Sequence, residues 1–322
     1  MKTPTKKVLS LLLAAATVVA CTLSLSSCGK KKGYTVGICQ LVRHEALDAA
    51  TQGFKDALTE ALGAENVTFI EQNAQNDTNA CSTIVTDFVS KKVDLIMANA
   101  TPALQAAFNA TTTIPVLGTS ITEYGVALDI PDFNGTVGGN VSGTSDLAPL
   151  TEQADMILEL FPDAKNVGLI YCSAEPNSEY QVKVIEEYLT DKGLTCTRFS
   201  FSDSNDISAV TTAAAAQSDV IYIPTDNTAA SCSETIGNIV REKKVPVVAG
   251  EQGICAGCGV ATLSISYYDL GVKTGEMAAK ILKGEEKISE MPIEYATATK
   301  MYNPAICEEL GITVPEGYTA IE

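Results

Sequence analysis

The 322-residue sequence predicts an α/β protein of two similar lobes with a cleft between them. Three observations lead there. Val36-Gly37-Ile38-Cys39 and Val167-Gly168-Leu169-Ile170 each open a strand that runs into a long helix, at a spacing of 131 residues. Ile114-Pro115-Val116-Leu117 is echoed by Val245-Pro246-Val247-Val248 at the same spacing, and Val93-Asp94-Leu95-Ile96-Met97 by Ser218-Asp219-Val220-Ile221-Tyr222. The strands are apolar throughout and separated by helical patterns, as parallel sheets buried on both faces require.

The elements follow in order. Residues 34–42 read as a strand, and 45–62 place apolar side chains at helical spacing until Gly63 stops them. A strand at 66–71, a helix at 78–91 and an apolar strand at 93–98 come next. Pro102 opens a helix over 102–110, in a first turn that needs no N–H from it, and 114–118 is a strand. The second half repeats the pattern: helix 150–160, strand 167–172, helix 177–191, strand 195–201, helix 206–217, strand 219–224, helix 228–243 and strand 245–249. Residues 131–149, rich in Gly, Asn, Ser and Pro, read as a loop or crossover. Residues 253–266 hold a strand, 268–283 a helix stopped by Gly284, and 291–322 strand-and-turn segments. The helix after the second half has no counterpart after the first, so the chain is expected to cross back.

The N-terminus reads as a targeting segment. Lys6-Lys7 precede an apolar run over 8–20 that is too short for a stable membrane span. Leu25-Ser26-Ser27-Cys28 resembles a bacterial lipobox, and Gly29 with Lys30-Lys31-Lys32 reads as the tether beyond it. Cys28 is therefore preferred over Cys21 as the lipidated residue, giving a signal peptide over 1–28, a tether over 29–33 and attachment to the membrane by lipid alone. The formal charge of −17 lacks the basic footprint that nucleic-acid binding needs.

The chemistry is narrowed by what is missing. One histidine, His44, excludes a His-rich zinc site and leaves any Ser-His-Asp triad dependent on it. No G-x-S-x-G elbow, P-loop or G-x-G-x-x-G fingerprint stands at a strand-to-helix turn. No metal or cofactor is expected. Cys255-Ala256-Gly257-Cys258 is a C-x-x-C motif, but a glycine and a β-like run follow it, the wrong context for thioredoxin-type chemistry. A turn holding a local disulfide or two free thiols is expected there. Cys39, Cys172 and Cys196 fall in predicted strands, where a thiol serves as a small hydrophobe.

The strand ends carry more. Ligands of open α/β sheets bind outside the C-terminal ends of the strands. In the first half those ends bear Gln40 with Arg43-His44-Glu45, Asn99-Ala100-Thr101, and Gly118-Thr119-Ser120. In the second they bear Ser173 to Ser178, Thr225-Asp226-Asn227, and Gly250-Glu251-Gln252. Hydroxyls and amides beside helix N-termini suit a carboxylate, and Asp226 and Glu251 suit an ammonium. Each residue alone could be an N-cap. Together, on two echoed halves, they point to a shared ligand site.

Several segments, in order, resemble a known family. They are Gln40-Leu41-Val42-Arg43-His44-Glu45-Ala46-Leu47-Asp48, Ala100-Thr101-Pro102-Ala103, Gly118-Thr119-Ser120, the run Gly138 to Asp146, Glu175-Pro176-Asn177-Ser178 and Pro224-Thr225-Asp226-Asn227. The family is that of the ABC-transporter substrate-binding proteins of tryptophan/tyrosine-type uptake systems. The resemblance implies a type I periplasmic-binding-protein fold: two Rossmann-like lobes with parallel sheets, joined by three crossovers. By that analogy lobe one is 34–144 plus 260–288, and lobe two 145–259 plus 289–322. It further implies a lipid-anchored, extracytoplasmic and monomeric receptor, not an enzyme, that delivers a small solute to an ABC permease and ATPase.

The solute is expected to be an aromatic amino acid. Asp226 would take its ammonium, and Thr101, Ser120, Ser173 and Ser178 its carboxylate, with His44 and Leu47 flanking the side chain. Gln40, Thr119, Ser145, Asp146, Asn177, Asn227 and Glu251 complete the candidate set. The absence of tryptophan counts against a sugar receptor, whose site would use broad aromatic platforms. Two competing readings are an extracellular redox enzyme using Cys255 and Cys258, and a ligand sensor for a membrane partner.

Overall fold

The computed structural model describes residues 33–321. The proposed signal peptide, Cys28 and most of the tether lie outside the described residues. Strands β1 (Tyr34–Gln40), β2 (Val67–Asn73), β3 (Leu95–Asn99), β4 (Val116–Ile121) and β5 (Val141–Ser145) build the first sheet in the order β5-β4-β3-β1-β2. The second sheet repeats that order with β6 (Asn166–Cys172), β7 (Thr195–Phe201), β8 (Val220–Ile223), β9 (Val247–Ala249) and β10 (Ala261–Ser264), as β10-β9-β8-β6-β7. The echoed segments thus occupy equivalent places: β1 with β6, β3 with β8, β4 with β9. The fold is the type I periplasmic-binding-protein α/β fold.

Strand alternation explains the layers. In β1, Val36 and Ile38 face Phe54 and Leu58 of α1 (Glu45–Leu62), whereas Cys39 faces Phe88 of α2 (Thr78–Lys91) and the helix α3 (Thr101–Ala110) beyond. Asp77 starts α2 by accepting the amides of Asn79 and Ala80. After the short α4 (Tyr124–Ala127), the second sheet is covered on one face by α5 (Leu150–Leu160) and α6 (Pro176–Asp191). Its other face carries α7 (Ile207–Ala215), α8 (Asn227–Ser231), α9 (Ser233–Lys243) and α10 (Gln252–Cys258). No helix among the described residues is long and apolar enough to cross a membrane.

The chain passes between the sheets three times. It does so over 146–149 after β5, over 265–266 after β10, and over 296–298 after β11 (Glu294–Tyr295). Between the last two passages α11 (Tyr267–Lys283) packs on α1 of the first lobe. The contact is close: a Cβ on Gly271 would lie 2.0 Å from the Ala50 carbonyl oxygen. After the third passage, β12 (Thr299–Tyr302) and β13 (Thr319–Ala320) extend the second sheet on either side of α12 (Pro304–Leu310).

Several expectations need correction. The second passage follows β10 rather than residue 260, because β10 pairs with β9 and β12 of the second sheet. The third comes after 295 rather than 288, because β11 pairs with the otherwise open edge of β5. The loop expected over 131–149 contains β5, whose short polar side chains bond inward: Ser142 Oγ donates to the Met291 carbonyl and Thr144 Oγ1 meets Thr274 Oγ1 at 2.9 Å. The helix expected over 228–243 breaks at Cys232, and 304–310 is helical, started by Asn303 and Pro304. The Cys255–Cys258 segment is helix α10 rather than a turn, capped by Glu251, and both thiols are free and buried.

Candidate ligand-binding site

Residues that end or follow β1, β4, β5, β6, β8 and β9 line one narrow cavity between the lobes. The first lobe supplies His44, Leu47, Ser120 and Thr122; the second supplies Asn177, Thr225, Asp226, Asn227, Ala230 and Glu251. Asp146 of the first passage and Tyr267, just past the second, complete the wall. Above it the lobes meet: His44 Nε2 lies 3.4 Å from Asn227 Oδ1, and Asn76 Nδ2 donates to Thr228 Oγ1 at 3.0 Å.

The structure brings eight of the fourteen expected side chains to this cavity: His44, Leu47, Ser120, Asp146, Asn177, Asp226, Asn227 and Glu251. The other six serve the scaffold around it. Gln40 donates to the Val42 carbonyl and to Asp48 and accepts from Thr51, so it holds the loop that carries His44. Thr101 is buried in the first turn of α3, outside the cavity wall. Thr119 joins Thr144 and Thr274 in a buried hydroxyl cluster that pins α11 to the sheet. Ser145 donates to the Thr122 carbonyl and accepts from the Leu147 amide, shaping the first passage. Ser173 is exposed and donates to the Phe201 carbonyl, and Ser178 is buried beside Asp226, its hydroxyl accepting from the Asn177 side chain at 3.3 Å. Thr225, read at the end of its strand but left out of the candidate set, also lines the cavity, and Thr122, Ala230 and Tyr267 were not anticipated. Only the Ser266-x-x-Asp269 start of a helix marked the place of Tyr267.

The carboxylates at the cavity differ in what they have left to offer. Asp226 accepts the Cys172 amide at 2.6 Å on one oxygen and the Ala229 amide at 2.8 Å on the other. Glu251 accepts the Gly253 and Ile254 amides. Glu175, buried behind them, is filled by the amides and side chains of Asn227 and Thr228. Asp146 is the exception: Tyr267 donates to its Oδ2 at 3.0 Å, and its Oδ1 has no partner. Burial pushes Asp146 up to about 6, Glu251 to about 7 and Asp226 to about 8, with the Glu175 charge adding to the last. Burial lowers His44, which keeps its ring neutral at pH 7.

Eight buried side-chain polar atoms lack a partner among the described residues, and four of them belong to this wall: His44 Nδ1, Ser120 Oγ, Asp146 Oδ1 and Asn177 Oδ1. Buried polar groups are nearly always paired, so four unpaired ones on one cavity wall stand out. Ser120 is held there at a φ of 55°, the left-handed region, at the end of β4.

Two sheets of duplicated order, three passages and a polar cavity between them define a solute-binding protein. The chain belongs to the ABC transporter substrate binding protein family, whose model matches residues 35–320. It is 35% identical over 273 residues to a tyrosine-binding protein of Clostridioides difficile (strain R20291), covering 84% of this chain and 79% of that one. It is similar to the ABC domain from Streptococcus pneumonia solved in complex with L-Trp: 32% identity, 90% of this chain and 100% of that chain, TM-score 0.85. A ligand-free, open substrate binding protein with adhesive properties from Clostridium difficile is 38% identical over 90% of this chain and 99% of that chain, at a TM-score of 0.68. Family membership makes the chain an extracytoplasmic substrate-binding protein.

Proposed function

We propose that the cavity captures a free aromatic amino acid and that the chain presents it to an ABC permease and its ATPase. The observation that carries this reading is the set of four unpaired polar atoms on one wall, two of them acceptors side by side in function: Asp146 Oδ1 and Asn177 Oδ1. They suit an ammonium. The role expected of Asp226 therefore moves to Asp146, because both Asp226 oxygens already accept backbone N–H groups.

The Ser120 hydroxyl suits the carboxylate, helped by the N-terminus of α1, which starts at the cavity with no side-chain cap. Leu47 and Ala230 offer apolar wall to the ring, and His44 and Ala230 also border an outer groove with Arg43, Ser231 and Ser233 that can receive a polar tip. The relatives' ligands, tyrosine and L-Trp, support an aromatic side chain. Thermal shift with each of the twenty amino acids tests the reading. Tyrosine, tryptophan or phenylalanine raises the melting temperature, since a ligand that binds only the folded state stabilises it. No shift with any of them refutes it.

The receptor is anchored through lipid on Cys28 and acts as a monomer at the membrane surface. Cys28→Ser then moves the protein from the membrane fraction to the medium. The redox reading finds no support in the thiols: burial raises both Cys255 and Cys258, which disfavours the thiolate that such chemistry needs.

A further inference from the structure

We propose that Tyr267 is a positioning residue for ligand capture: it holds one oxygen of Asp146 so that the other faces the ligand's ammonium, and it thereby links two of the three interlobe passages through the site. The inference rests on Asp146 as the ammonium's partner.

The geometry is specific. Asp146 opens the first passage, and Tyr267 is the first residue after the second. Both line the cavity, and the phenol donates to Asp146 Oδ2 at 3.0 Å while Oδ1 stays unpartnered. Tyr267 itself cannot drift. Its helix is fixed to α1 by the close approach of Gly271 to Ala50 and to the first sheet by Thr274. The Thr225 side chain, from the end of β8, lies beside the same phenol and donates to the Gly250 carbonyl at 3.3 Å. The bond from Tyr267 therefore fixes one oxygen of the carboxylate, and a carboxylate set in advance loses less conformational freedom when the ammonium arrives. Moving either passage moves the bond, so the ligand is held best when both are in place.

The test follows from the groups that face Asp146. These are the hydroxyls of Tyr267 and Thr122, which favour its ionised form, and Glu251 and Tyr124, which interact with it through space. Tyr267→Phe keeps the ring and removes the donor. With L-tyrosine as probe, calorimetry from pH 5 to 9 should show roughly 10-fold weaker binding at neutral pH. The acid pH at which affinity is half lost should rise by roughly half a unit to one unit, because the ionised carboxylate has lost a donor. Tyr268→Phe, which removes an exposed bond to Asp56, should leave both unchanged. 3-Fluorotyrosine at position 267, a stronger donor of the same shape, should lower the acid half-point even if the Phe variant does not fold.

An acid half-point that moves in neither variant overturns the proposal. Absence of binding by the wild-type protein, or binding unaffected by Asp146→Asn, would instead remove the reading beneath it.

Discussion

His44 of the first lobe and Asn227 of the second face each other at 3.4 Å across the mouth of the cleft. Each stands at the start of a helix that follows a strand of its own sheet, so the contact exists only when the lobes are together. Asn76 and Thr228 add a second such contact. In solution the ligand-free protein should populate a wider arrangement, as hinged two-lobed receptors do. Small-angle scattering checks this: the radius of gyration falls when tyrosine is added to the wild-type protein. Replacing His44 and Asn76 together by alanine should weaken binding about 3- to 10-fold through the lost closing contacts.

Asp146→Asn separates binding from folding. The amide keeps an acceptor for Tyr267 but cannot pair with an ammonium, so affinity should fall on the order of 10- to 100-fold. Stability should move the other way. The folded-state value of about 6 lies above the ordinary aspartate value of 3.8, so the native protein holds the extra proton between them. This group's contribution is complete below the unfolded value and is lost as pH rises through the folded one. Removing it should raise ligand-free stability at pH 7 to 8 by on the order of 1–3 kcal/mol, and by little at pH 4. Urea denaturation at the two pH values checks the sign.

Asp226→Ala should behave in the opposite way. It takes the cap from α8 and leaves the Cys172 amide without its acceptor, which costs about 2–4 kcal/mol. Affinity for tyrosine, corrected for the folded fraction, should change less than in Asp146→Asn. Equal losses in both variants would return the ammonium to Asp226.

Gly271→Val should abolish the seat of α11. Its first side-chain carbon would sit 2.0 Å from the Ala50 carbonyl oxygen, with both backbones fixed by their helices. A loss of more than about 3 kcal/mol is expected, read as a lower urea midpoint.

Much of this architecture was legible because it is repeated. The echo of Val36 to Cys39 in Val167 to Ile170 is the echo of β1 in β6, and the two sheets share one strand order. β5 escaped notice because Val-Ser-Gly-Thr-Ser reads as loop: its hydroxyls are satisfied inside the first lobe by partners more than 20 residues away. The passages at 265–266 and 296–298 depend on which sheet edge accepts β10 and β11, a choice made by pairing partners rather than local pattern. Eight cavity residues were found because strand ends are where such ligands bind. The division of labour proposed for them was not legible there. Asp146 and Asp226 are both aspartates after a strand, and only the positions of the Cys172 and Ala229 amides show which has an oxygen to spare.

The sharpest measurement is calorimetric titration of the wild-type protein at pH 7.5 with L-tyrosine and with N-acetyl-L-tyrosine. The two keep the same ring and carboxylate, and only the first carries an ammonium for Asp146. One-to-one binding of L-tyrosine with no detectable binding of the acetylated compound is the predicted result. Comparable affinity for both would contradict it, because the unpaired oxygen of Asp146 would then face no cation.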